Sequence, residues 1–78
     1  MDSVAAFYRF ARFDAAELAP LRSGLLALGR DQGVLGTVLL AEEGINGTIS
    51  GPAAGVEAML AHLRSDPRLA ELPCRRST

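Results

Sequence analysis

The stretch "GTVLLAEEGINGTISG" (residues 36–51) decides the fold, because two β-rich runs flank a short turn-forming segment. The first run, "VLGTVLLA" (34–41), is apolar on both alternating faces, which is typical of a central strand. The second run, "INGTIS" (45–50), follows after only a few residues, and so short a connection predicts an antiparallel neighbour. The sequence therefore predicts a β-hairpin at this point.

Two positions are open for the turn of this hairpin. The pair Asn46-Gly47 readily adopts positive φ at both positions of a two-residue turn. A turn at residues 42–44 instead keeps the first strand continuous to Ala41 and leaves Asn46 in or beside the second strand. We prefer the second position for that reason. The glycines of this corner are explained either by turn chemistry alone or by a loop built to contact a ligand.

The segments on either side of the hairpin predict one strand and two helices. The apolar run "VAAFYRF" (4–10) reads as a strand. Asp14 with Glu17 forms a variant capping box, but Pro20 moves the expected start of the regular helix to about Leu18. Pro52 is expected at the first position of the second helix. Apolar residues at helical spacing mark the two buried stripes: Leu18, Leu21, Leu25 and Leu28, then Val56, Met59, Leu60 and Leu63.

The predicted order β-α-β-β-α is that of a ferredoxin-like α+β sandwich, in which two helices cover one face of an antiparallel sheet. Only Cys74–Thr78 remains for the fourth strand, which we expect to be truncated. Residues 1–78 therefore form a single domain, and we expect it to be the front piece of a longer protein.

Composition narrows the class of function. The chain is 49% hydrophobic with a net charge of −1, so it has no overall positive field that would attract nucleic acid. It shows neither a signal peptide nor an apolar run long enough to cross a membrane. The single cysteine, Cys74, allows no internal disulfide and fits a reducing compartment. We expect a cytoplasmic domain.

Residues of catalytic type are few and dispersed. Cys74 precedes "RRST", but the glycines of a thiolate-cradling loop do not follow, so we expect a structural or incidental thiol. His62 has no partner at ligand spacing, and we predict neither a metal site nor a cofactor. "GING" stands between strands and not between helices as in a KH domain, and "INGTIS" lacks the aromatic residues of an RRM.

The sheet face left uncovered by the helices is the other candidate surface. Alternation in the first strand places Phe7 and Arg9 together on one face, opposite Tyr8 and Phe10. We expect Phe7 and Arg9 on the uncovered face, near Thr48. Such a face suits a wet domain interface or an RNA contact.

Three strings carry a family resemblance: "FYRF" in the first strand, "LAPL" in the first helix and above all "GTVLLAEEGINGTISG". They resemble the N-terminal domain of the rhodanese-containing tRNA uridine hydroxylases, also described as rhodanese-like sulfurtransferases. The resemblance implies an acylphosphatase-like domain ahead of a rhodanese domain. It also implies that the whole protein is an oxidoreductase of tRNA modification, which hydroxylates the wobble uridine at C5 with molecular oxygen. The catalytic cysteine of that family lies in the rhodanese domain, so this chain is expected to be accessory and not to catalyse alone.

Two groups of residues are candidates for contact with that rhodanese domain or with tRNA. Gly44, Asn46, Gly47 and Thr48 form the corner that would let a partner's backbone or phosphate approach. Arg9, Arg12, Arg75 and Arg76 are the candidate phosphate contacts. Two other functions remain open: a protein-docking domain that touches no RNA, and a small-molecule sensor, which would need an apolar pocket with convergent polar groups.

Overall fold

The computed structural model of the protein describes residues 2–78 and contains a four-stranded sheet with two helices. The strands and helices follow one another as β1 (Ser3–Phe10), α1 (Ala15–Gln32), β2 (Leu35–Ala41), β3 (Gly44–Gly51), α2 (Ala53–Arg64) and β4 (Cys74–Ser77), with a short 3-10 helix at Pro67–Leu69. The sheet order is β2-β3-β1-β4, and all neighbouring strands are antiparallel. This is the predicted ferredoxin-like α+β sandwich.

The hairpin turn lies at the preferred position. Ala41 pairs with Gly44, so Glu42 and Glu43 alone form the turn and Asn46 lies inside β3. The turn is tied to the connection between β1 and α1. The backbone N–H groups of Ala11 and Phe13 donate to the carbonyl oxygens of Glu43 and Glu42, each at 3.0 Å.

The prediction that residues 34–41 form a central strand is wrong, because β2 lies at the edge of the sheet and pairs only with β3 among the described residues. Its two apolar faces have different surroundings. Val38 and Leu40 pack partly buried against the core, whereas Leu35 and Leu39 are exposed on the opposite face. An edge strand that is apolar on both faces leaves large apolar side chains in contact with solvent.

The expected start of the first helix was also wrong, since α1 begins at Ala15 and contains Pro20. Proline at this position removes one helical hydrogen bond, the one that residue 20 would donate to the carbonyl of residue 16. The helix start is held by Asp14 at the N-cap, whose backbone N–H donates to the Glu17 carboxylate at 2.8 Å. Gly33, with φ of 67°, ends the helix in a left-handed conformation.

The second helix and the last strand differ from expectation only at their ends. Pro52 is the N-cap and not the first helical residue, so α2 begins at Ala53. The fourth strand is short but paired, with a register that runs from Val4 opposite Ser77 to Phe7 opposite Cys74.

The core lies between the helices and one sheet face and is mainly aliphatic. All four stripe residues of α2 are buried, and so are Ile45 and Ile49 of β3 and the two aromatic residues Phe7 and Phe13. The stripe of α1 is less deeply buried: only Leu25 of its four leucines is fully buried. Within residues 2–78, no helix combines the length and the apolar character needed to cross a bilayer.

Candidate functional site on the open face of the sheet

The strands place alternate residues on the two faces of the sheet, and burial identifies the face without helices. Phe7 is 5% exposed and belongs to the core, whereas its neighbour Tyr8 is 59% exposed. The expectation that Phe7 and Arg9 lie on the uncovered face was therefore wrong. Tyr8 and Phe10 occupy that face, and Thr48 lies beside them on β3, opposite Ala6 of β1. We call this surface the open face.

The open face carries an exposed apolar cluster. Tyr8 and Phe10 make an edge-to-face contact, with ring centroids 6.0 Å apart and ring planes at 83°. Leu39 and Leu35 of β2 lie on the same face, since they pair with Asn46 and Ser50 of β3. Leu35 is 77% and Phe10 is 82% exposed. Among the described residues, only one other large apolar side chain is exposed, Leu26 on α1. Large apolar side chains exposed together on one face indicate an interaction surface.

Polar residues lie in the middle of this surface, where the sheet forms a shallow concavity of about 660 Å³. Thr37, Asn46 and Thr48 line its floor beside Tyr8 and Leu39. At the β4 side, Arg75 is the basic residue that lines it. The surface therefore offers amide and hydroxyl groups between apolar side chains, with one guanidinium at its border.

The structure brings some of the predicted contact residues together and separates others. Asn46, Gly47, Thr48 and Arg75 all line the concavity. Arg76 lies next to Arg75 in sequence but points to the helix side, where it forms an ion pair with Glu57 and donates to the Ser3 Oγ at 2.8 Å. The hydrogen bond from Arg76 lowers the pKa of the Glu57 carboxyl below its ordinary value.

The remaining predicted arginines lie away from the concavity. Arg9 pairs with Ile45 and lies on the helix side of β1, half-buried near the hairpin end. Arg12 follows β1 in the connection to α1, and its backbone carbonyl accepts a hydrogen bond from Arg68. The four candidate arginines therefore do not form one basic patch.

The glycines of the corner serve the packing of neighbouring strands. Gly44 has φ of 156°, and a Cβ atom built there would lie 2.3 Å from the carbonyl oxygen of Arg9. Gly47 does not have positive φ, but a Cβ atom there would lie 2.6 Å from the carbonyl oxygen of Thr37. The space that we expected to admit a partner's backbone is occupied by β1 and β2 of the same sheet.

The charge at the hairpin corner is negative. Glu42 and Glu43 are both exposed at the turn, directly before Gly44. Phosphate groups are repelled by carboxylates at close range. The charge of the turn therefore favours a partner other than the RNA backbone at this corner.

A cluster around Arg68 positions the start of α1, and the sequence analysis did not find it. The Arg68 guanidinium donates to both Asp66 oxygens, at 3.0 and 2.7 Å, and to the Glu17 carboxylate at 2.9 Å. Its Cζ lies 4.3 Å from the ring centroid of Phe13, a cation–π distance. Hydrogen bonds from Arg68 are the main cause of the lowered pKa values of Glu17 and Asp66. Glu17 and Arg68 are 51 residues apart, so local sequence patterns carry no signal for this contact.

The described part of the chain shows no group of three or more His, Cys, Asp or Glu side chains arranged to hold a metal ion. Cys74 is a half-buried free thiol in β4, and His62 is exposed on α2. The groups of the open face are amides, hydroxyls, aromatic rings, leucine side chains and one arginine.

A protein-family profile described as the UPF0176 acylphosphatase-like domain matches residues 3–78. The chain belongs to this family. The tRNA uridine(34) hydroxylase of Albidiferax ferrireducens is 54% identical over 68 residues, which are 87% of this chain and 21% of that protein. The tRNA uridine(34) hydroxylase of Agrobacterium fabrum is 53% identical over 74 residues, covering 95% of this chain and 23% of that protein.

A solved structure shares this fold. The structure of a bacterial light-regulated adenylyl cyclase matches with a TM-score of 0.76 at 10% identity, covering 97% of this chain and 22% of that one. At this identity the match shows the fold alone. The family profile describes this architecture as acylphosphatase-like. The chain spans about a fifth of the length of the curated relatives that it matches.

Proposed function

We propose that this chain is the N-terminal, non-catalytic module of an oxidoreductase that hydroxylates uridine 34 of tRNA. In this proposal the module docks its open face onto the remainder of the same polypeptide, which is expected to include a rhodanese domain. The observation that carries the proposal is the exposure of four large apolar side chains, Tyr8, Phe10, Leu35 and Leu39, on a face without helices. Relatives that are hydroxylases of uridine 34 support the reaction.

Docking onto protein is favoured over binding to RNA by the chemistry of the open face. Interface cores are rich in aromatic residues and depleted in charge, and Tyr8 and Phe10 with two leucines have that composition. Surfaces that bind nucleic acid carry several basic groups, whereas only Arg75 lines the concavity of this face. The acidic turn next to Phe10 adds to this preference.

Charge substitutions on the open face test the proposal in the full-length enzyme. Leu39→Glu should reduce hydroxylated uridine 34 in cellular tRNA about tenfold, because it places a carboxylate in an apolar interface. Ala61→Glu is the control, since Ala61 is exposed on α2, away from the open face and from α1. It should leave the modification unchanged. Normal hydroxylation by folded Leu39→Glu protein would refute docking through this face.

A titration distinguishes RNA from protein as the partner of the open face. The isotope-labelled chain is mixed with an anticodon stem-loop RNA at low salt, and its amide signals are followed by NMR. We expect no change at Tyr8, Thr48 or Arg75. Changes at these residues that disappear with added salt would instead establish an RNA contact.

A further inference from the structure

A second surface lies at the outer edge of β2, on the side where this edge faces α1. The strand "LGTVLLA" contains no charged residue and no proline, and it pairs only with β3 in the described chain. Half of its backbone N–H and C=O groups therefore point outward without a strand to bind. Natural proteins protect such edges with charges, prolines or bulges, and a long apolar edge without them is a template for another strand.

A groove of about 410 Å³ runs between this edge and α1. Its floor is apolar and includes Leu25, Val38 and Leu40, all of which pack in or against the core. Leu26 of α1 lies at its border and is 51% exposed. A strand added to β2 would direct every second side chain into this groove.

Two arginines stand at the ends of the groove. Arg22, Leu26 and Arg30 are spaced four residues apart and form one exposed stripe along α1. Neither guanidinium makes an ion pair or hydrogen bond with any residue in the range 2–78 that the structure describes. Arg22 and Arg30 are eight helical residues apart, which is a distance of about 12 Å along the helix axis. This is close to the roughly 13 Å between residues i and i+4 of an extended strand.

We propose that the β2 edge and this stripe bind an extended segment of a partner protein by strand addition. The segment carries acidic residues at positions i and i+4 and an apolar residue at i+2. Its backbone pairs with β2, its two carboxylates meet Arg22 and Arg30, and its central side chain packs on Leu26. This is β-augmentation with charge complementarity at both ends, and it stands independently of the role proposed for the open face.

A second copy of this chain is a poorer occupant of the same edge. Antiparallel pairing of two β2 strands about a two-fold axis would bring Arg22 of one copy towards Arg30 of the other, which is a like-charge contact. The chain also contains no two acidic residues four positions apart among its nine, so it cannot supply the required segment itself. Charge complementarity therefore favours a segment from outside residues 1–78 over a second copy of them.

Synthetic peptides test the proposal without knowledge of the natural partner. The first probe has glutamate at positions i and i+4, valine at position i+2, and threonine at the positions between them. The second has lysine in place of both glutamates, and the third has the first sequence with N-methylated backbone groups on its pairing side. In NMR titrations of the labelled chain, only the first should shift the amide signals of residues 35–41. Equal binding of the lysine peptide, or no shift with the glutamate peptide, would overturn the proposal.

Protein variants provide the second arm of the experiment. Arg22→Glu combined with Arg30→Glu should weaken the glutamate peptide about tenfold and make the lysine peptide the better ligand, as two exposed charge contacts are reversed. Arg75→Glu, an exposed arginine on the open face, is the matched control and should leave both affinities unchanged. Concentration-dependent shifts of residues 35–41 without peptide would show self-association and overturn the assignment to a partner protein.

Discussion

The guanidinium of Arg68 and the carboxylate of Glu17 lie 2.9 Å apart, although 51 residues separate them in the chain. Through this contact the segment after α2 holds the first turn of α1. The same guanidinium binds Asp66 and lies over the ring of Phe13. The two carboxylates and the ring thus converge on one cation, which joins the start of α1 to the segment after α2.

We expect acid to destabilise the fold through this cluster. Hydrogen bonds from Arg68 hold the folded-state pKa values of Glu17 and Asp66 below their ordinary values of 4.5 and 3.8. Between the folded-state and the ordinary pKa values, the unfolded chain therefore binds more protons than the folded one. The stabilisation from these contacts is complete at pH values above the ordinary pKa values, and it is lost as the pH falls through the folded-state pKa values. Urea unfolding at a series of pH values measures this: the free energy of unfolding should be flat towards neutral pH and fall below about pH 4.5.

The variant Arg68→Gln should reduce this acid limb, that is, the fall in the free energy of unfolding at low pH. Without the guanidinium, the carboxylates of Glu17 and Asp66 titrate closer to their ordinary pKa values. Arg22→Gln is the matched control, since Arg22 makes no ion pair in the described chain, and it should keep the full acid limb. An unchanged acid limb in Arg68→Gln would assign the pH dependence to other groups.

Glycine at position 44 is required by the close approach of β1. The substitution Gly44→Ala would place a Cβ atom 2.3 Å from the Arg9 carbonyl oxygen at a φ of 156°. We expect it to lower the free energy of unfolding by about 1–3 kcal/mol. Gly24→Ala is the control, because a Cβ atom there meets only the His62 Nε2, at 4.0 Å, and helix propensity should raise stability by up to about 1 kcal/mol. Equal effects of the two substitutions in denaturant unfolding would contradict this account.

Substitutions on the open face should leave the stability of the isolated chain unchanged. Leu39 is 60% exposed, so Leu39→Ala should change the free energy of unfolding by less than about 0.5 kcal/mol. Leu60 is 1% exposed on α2, and Leu60→Ala should cost about 2–5 kcal/mol. Thermal and urea unfolding of the two variants give the comparison. A large loss in Leu39→Ala would mean that this side chain is part of the core and not available for docking.

Replacement of Pro20 by alanine should stabilise α1. Alanine restores the backbone donor that can bond to the carbonyl of residue 16, and it has the highest helix propensity. Proline acts in the opposite direction on the unfolded state, because it limits the number of conformations that the unfolded chain can adopt. We expect a net gain of about 1–2 kcal/mol, together with slower amide exchange in the first turns of the helix. A loss of stability would indicate that the proline ring itself packs usefully in the native state.

The order of the elements could be predicted because each depends on local signals. The leucine stripe of α1 and the short connection between the two hairpin strands are both properties of short windows. The edge position of β2 could not be predicted in this way. An apolar pattern on both faces of a strand indicates that its side chains favour burial, but it does not show which strands lie on either side of it. In β2 one of the two apolar faces is exposed to solvent.

The residues of the open face were predicted only in part. Alternation assigned Phe7 and Tyr8 to opposite faces correctly, but both faces of β1 carry a phenylalanine, so the sequence gives no sign of which face the helices cover. Asn46, Thr48 and Arg75 were named and do line the concavity. Their contact with RNA or with another domain stays a prediction, and so does that of Arg9, Arg12 and Arg76, which lie elsewhere.

The two hydrogen bonds from Ala11 and Phe13 to the hairpin turn have a mechanical consequence. They fasten the tip of one hairpin to the first residues ahead of the long helix, and Phe10 stands at the same junction. A displacement of the hairpin tip would therefore also move the residues just ahead of α1, whose first turn Arg68 holds through Glu17.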